Sequence, residues 1–100
     1  LAFEGKMYVI ADRINANLFR IAGIPTLEAN KQEDVMEQMK VAESKGASLI
    51  VVLKHLIDDE SKVRDFARSI GLTLLIIPTK LANMEPIDVD KLLAKALGIG

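Results

Sequence analysis

Apolar residues in this chain switch repeatedly between short continuous runs and helical spacing. Residues 6–11 form a run with Tyr8, Val9 and Ile10, the pattern of a parallel strand buried on both faces. Asp12 or Asn15 then stands where a helix cap is needed, and Ile14, Leu18 and Ile21 follow at i, i+4 and i+7, predicting a helix with that inner face. Gly23 stops this helix, and Pro25, which lacks an amide donor, forbids its return. Residues 26–29 read as a second strand, the least hydrophobic of the set and so an edge. Asn30 and Glu33 have the spacing of a capping box, and behind them Val35, Met39 and Ala42 share one helical face up to Gly46. Residues 48–53 are almost purely aliphatic, as a central strand requires. Asp58 or Asp59 caps a third helix with Val63, Phe66, Ala67 and Ile70 inward, and Gly71 closes it. Residues 72–77 are a fourth strand halted by Pro78. A polar connection over 79–87 leads to a last amphipathic helix over about 88–98, with Val89, Leu92, Leu93, Ala96 and Leu97 as its apolar stripe.

Strands and helices thus alternate four times, with no repeat or linker, and predict one α/β domain over residues 1–100. Right-handed crossovers give a four-stranded parallel sheet with helices on both faces. The strand order 2-1-3-4 is expected by analogy with flavodoxin-like and receiver-like sheets of the Rossmann type.

Composition narrows what such a sheet does. Half the residues are apolar and 27% are charged, an ordinary globular balance that argues against disorder. The only aromatics, Phe3, Tyr8, Phe19 and Phe66, are too few to make a stacking platform for single-stranded nucleic acid. A net charge of −1, from 13 basic and 14 acidic side chains, leaves no electrostatic footprint for nucleic acid or an anionic membrane. The absence of cysteine removes disulfides, thiolate metal sites and a cysteine nucleophile. The longest apolar runs, 49–53 and 74–77, fall far short of the roughly 20 residues a membrane helix needs, so no direct membrane insertion is expected.

A binding site in an open α/β sheet normally lies at the carboxyl ends of its strands. The first turn, Ala11-Asp12-Arg13-Ile14-Asn15-Ala16, has no glycine through which backbone amides could approach a phosphate, and Asp12 would repel one. The rim is expected to gather Asp12, Lys54-His55 and Thr79-Lys80, a set suggestive of a receiver-type phosphorylation site. Lys54, however, stands close to where the phosphoacceptor carboxylate belongs, and a single acid holds Mg²⁺ weakly. His55 is the only histidine, too little for a histidine metal pair, and reads as a solvated or loop residue after the third strand. Asp58-Asp59-Glu60 suits the dipole at a helix start, and Met36, Met39 and Met84 read as core or loop residues. No catalytic residue, cofactor site or metal site is expected. What remains is surface: the apolar strand over residues 72–77 at a sheet edge, and the terminal helix, whose outer edge could dock a partner helix while its inner part folds back on the sheet.

The same details resemble the F subunit of the archaeal-type (A-type) ATP synthases and the related vacuolar-type ATPases. Ala11-Asp12 takes the place of that family's Gly-Asp pair after the first strand, and Phe19-Arg20-Ile21-Ala22-Gly23 matches its Phe-Arg-x-Ala-Gly string. Ile77-Pro78-Thr79-Lys80 fits its turn after the fourth strand, and Lys95-Ala96-Leu97-Gly98-Ile99 fits its terminal helix. The resemblance covers residues 6–99 and departs at Ala11 and after the third strand.

The resemblance implies a non-catalytic component of the rotor's central stalk, cytoplasmic and peripheral to the membrane. Such a component binds the coiled-coil D subunit, turns with it inside the catalytic A/B hexamer and helps couple ATP turnover to ion movement. The terminal helix is the mobile or regulatory piece in that family. Phe19, Arg20, Leu92, Leu93 and Leu97 are the expected partner-binding residues. Phe19 reads equally as a core anchor, and Arg20 as a solvated charge favoured at a helix end. The competing function is a degenerate receiver-like or small-ligand regulatory domain without a phosphoacceptor.

Overall fold

The computed structural model describes residues 6–78 and 86–98. Four strands, β1 (Met7–Ala11), β2 (Thr26–Glu28), β3 (Leu49–Leu53) and β4 (Thr73–Ile77), pair in parallel in the order β2-β1-β3-β4, as expected from the flavodoxin-like analogy. Four helices follow them in turn: α1 (Arg13–Ile21), α2 (Gln32–Ser44), α3 (Glu60–Ser69) and α4 (Pro86–Ala96). α1 and α4 pack together, as do α2 and α3, which puts two helices on each face of the sheet.

The sheet centre is the most apolar part of the molecule because it is covered twice. All five residues of β3 are buried, and in β1 only Tyr8 is partly exposed. At roughly 1.5–3 kcal/mol for each buried aliphatic side chain, these two strands dominate the hydrophobic stabilisation. β2 is short and partly exposed, the expected edge strand. β4 is the other edge, with Leu74, Leu75 and Ile76 half-buried.

Helix ends follow one chemistry. The Gly23 amide donates to the Arg20 carbonyl at 3.0 Å and the Ile24 amide to the Phe19 carbonyl at 3.0 Å. This is a Schellman turn, in which Gly23 takes φ 84° and Ile24, buried, begins the return to the sheet. α2 and α3 close on the same pair of bonds, around Gly46 and Gly71.

Two local expectations are corrected. The inner face of α1 is Ala16 and Phe19, both fully buried, whereas Ile14 and Ile21 are 82% and 71% exposed and Leu18 is half-buried. A nine-residue helix with apolar side chains on both sides satisfies two periodicities, and the single residue between β1 and α1 fixes which one faces the sheet. The start of α2 also differs: Lys31 occupies the cap position without a side-chain bond, and Asp34 reaches back to accept from the Asn30 amide at 3.1 Å. The acid half of a capping box is present, one residue later than its spacing suggests. The inward set Val35, Met39 and Ala42 is as expected.

Candidate interaction surface

At the carboxyl end of β1, Asp12 caps α1. Its carboxylate accepts from the Asn15 amide at 3.3 Å and from the Asn15 side-chain amide at 2.8 Å. On the other side the chain leaves β3 into a 3₁₀ turn, Lys54–Leu56, which holds His55 so that its Nε2 lies 3.0 Å from the same Asp12 carboxylate. Burial pushes the Asp12 carboxyl up, but the two Asn15 hydrogen bonds and the neighbouring His55 outweigh it and leave the pKa below the ordinary carboxylate value. His55 is the exposed turn histidine after β3 that the sequence suggests, and in addition a partner of Asp12 across two neighbouring strand ends. Thr79 and Lys80, expected on this rim, lie outside the described residues.

Lys54 follows β3 directly, so the place of a receiver's phosphoacceptor is taken by a cation. Among the described residues no group of three or more His, Asp or Glu could hold a metal ion. Through Asp12, Asn15 and His55 the arrangement at this rim fastens two strand ends and a helix start.

Beyond the rim, Gln32 in the first turn of α2 reaches the start of α3. Its Oε1 accepts from the amides of Asp58 and Asp59 at 2.8 and 2.7 Å, while Asp59 itself caps α3 by accepting from the Lys62 amide at 3.2 Å. The acidic run Asp58-Asp59-Glu60 thus belongs to a helix start, as its position suggests. A shallow groove of about 170 Å³ between Lys54, Ile57, Asp58, Glu60 and Ile76 adjoins it.

The expected partner-binding residues fall into two groups. Phe19 and Leu93 are fully buried, so they hold α1 and α4 in place from beneath. Arg20 is exposed and its guanidinium bonds Glu28 at 2.9 Å and the Thr26 carbonyl at 3.4 Å, which ties the end of α1 to the edge strand β2. Leu92 on α4 and Leu97 in the turn just after it are half-buried and pack against the core while keeping surface. Sequence reasoning did not place Ile14 and Ile21 on the surface. The signal was available in Ala16 and Phe19, which form a rival stripe on the opposite side of the helix.

No helix among the described residues is long and apolar enough to cross a membrane. No curated protein matches the chain in sequence. A family profile described as ATP synthase (F/14-kDa) subunit matches residues 7–95, from the first residue of β1 to the penultimate residue of α4. That match takes in all four strands and both helical layers, and with it the chain belongs to the F-subunit family of the A/V-type ATP synthases.

Proposed function

We propose that this chain is a non-catalytic central-stalk component of an A-type or V-type ATP synthase, cytoplasmic and peripheral to the membrane. It binds the coiled-coil D subunit, turns with it inside the catalytic A/B hexamer, and helps couple ATP synthesis or hydrolysis to ion transport. The observation that carries this reading is the family match over residues 7–95, which spans the fold from β1 into α4. The physical character of the surface supports it. Asp12, Asn15 and His55 at the strand ends hold β1, β3 and α1 together, and apolar side chains stand outward on α1 and partly outward on α4. Arg20, Leu92 and Leu97 serve the partner face directly, with Phe19 and Leu93 fixing the helices that carry them.

The test is co-expression with the coiled-coil D subunit of the same complex. Recovery of a stoichiometric complex is expected, and failure of the two chains to associate would overturn the reading. Treatment with acetyl phosphate and Mg²⁺, read by intact mass, is expected to leave the chain unmodified; a phosphoryl adduct would favour the receiver-like alternative.

A further inference from the structure

The outward face of α1 is apolar where a solvated helix would be polar. Ile14 and Ile21, 82% and 71% exposed, stand one heptad apart with half-buried Leu18 between them. Steps of four and then three residues are the d-a-d spacing of a coiled-coil seam, and they form a narrow ridge about 10 Å long over two turns. Leu18 rests partly on the core, but inward packing does not account for Ile14 and Ile21, because Ala16 and Phe19 on the opposite side already fill that role.

We propose that Ile14, Leu18 and Ile21 form the seam through which α1 packs against a partner α-helix carrying its own apolar a/d stripe with a carboxylate beside it. The inference rests on the central-stalk reading, and it names the face and the chemistry of the docking.

Charge selects the occupant. α1 carries Arg13 and Arg20 and no acidic residue. Arg20 is already shared with Glu28 on β2, whereas Arg13 has no ion-pair partner among the described residues. On a helical wheel Arg13, Asn17 and Arg20 lie on the same flank of the ridge, the flank that faces β2. An acidic side chain flanking the partner's stripe would meet Arg13 there. A second copy of this chain is the poorer occupant: pairing α1 with itself brings cations to both flanks and supplies no counter-charge from either helix. The ridge is too small to be a whole interface, since specific interfaces cover about 800 Å² on each partner. It has the geometry of an interface centre, a few desolvated apolar anchors with a charge at the rim.

The experiment compares the full-length chain with Ile14→Glu/Ile21→Glu and with Arg13→Glu, each titrated against the purified coiled-coil D subunit at low and high salt. The double variant is expected to bind at least tenfold more weakly at either salt concentration. Arg13→Glu is expected to bind several-fold more weakly at low salt, with the difference shrinking at high salt. Arg13→Glu leaves the packing intact and keeps the test readable if the double variant folds poorly. Wild-type protein that fails to bind the coiled coil overturns the stalk reading and this inference together. Wild-type protein that binds, with both variants binding equally well, overturns this inference alone. A wild-type dimer in sedimentation that Ile14→Glu/Ile21→Glu abolishes, with coiled-coil binding unchanged, overturns it too and assigns the ridge to a second copy instead.

Discussion

Replacing Phe19 by alanine removes a fully buried ring from the layer between α1 and the sheet. Its neighbours there include Ala16 on the same helix and Ile24, which enters the core directly after the Schellman turn. Aromatic-to-alanine changes in such sites cost about 3–5 kcal/mol, part from lost transfer energy and part from the cavity left behind. A domain of this size has a total stability of about 5–15 kcal/mol, so the loss is a large share of it. At roughly 4–8 °C for each kcal/mol, melting should fall on the order of 15–30 °C. Ile14→Ala is the internal control: a side chain of similar bulk on the same helix, but 82% exposed. Its effect should stay within about 0.5 kcal/mol, because little area returns to water and alanine is the better helix former. Urea unfolding followed by far-ultraviolet circular dichroism measures both. If Ile14→Ala costs more than about 2 kcal/mol while Phe19→Ala costs less than about 1, α1 is rotated by half a turn from the orientation described, and the docking ridge disappears with it.

Asp12 gives a pH-dependent outcome. Its folded pKa lies below the ordinary value, so its charged form contributes stability that is present above about pH 4 and lost as pH falls through the folded pKa. Asp12→Asn keeps a capping side chain but not the charge, so the gap in urea midpoint between it and the wild type should be clear near neutral pH and close as pH falls through the lowered folded pKa of Asp12; a constant gap would contradict the assignment. Gln32→Ala strips the shared acceptor from the Asp58 and Asp59 amides, and hydrogen exchange at those two positions should speed up with a stability loss of about 1 kcal/mol. Arg20→Ala should change stability by less than about 1 kcal/mol, since the Arg20–Glu28 pair is solvent-exposed; a larger loss in thermal melting would mean that Arg20 holds α1 in place.

Strand positions were legible because β1, β3 and β4 are continuous aliphatic runs with turn residues between them, while their order came from the analogy with flavodoxin-like sheets. The inward face of α2 was legible for a similar reason, since a 13-residue helix gives the period room to declare itself. In α1 the nine residues offer two apolar stripes of nearly equal length, and periodicity alone preferred the bulkier one. What decides between them is how α1 packs on the sheet after its one-residue connection from β1, which is a tertiary property. The Asp12–His55 pair was out of reach for a related reason: residues far apart in the chain become neighbours only through the parallel pairing of β1 with β3. The family was legible where single residues were not, because ordered short strings survive errors in any one of them. The expected partner residues divided by depth, and depth is the property that a helical stripe leaves unspecified at its edges.

The pairing of β1 with β3 also bears on how the chain reaches its fold. Met7 lies beside Leu49, so β1 has no central partner until β3, roughly 40 residues further along, has been synthesised. At roughly 5–20 residues per second that wait lasts seconds, longer than many mixed α/β domains need to fold once complete. Until then Val9 and Ile10 have only the three-residue strand β2 to pair with on the nascent chain. The rate of translation, more than any barrier within the finished protein, should therefore set when this sheet closes.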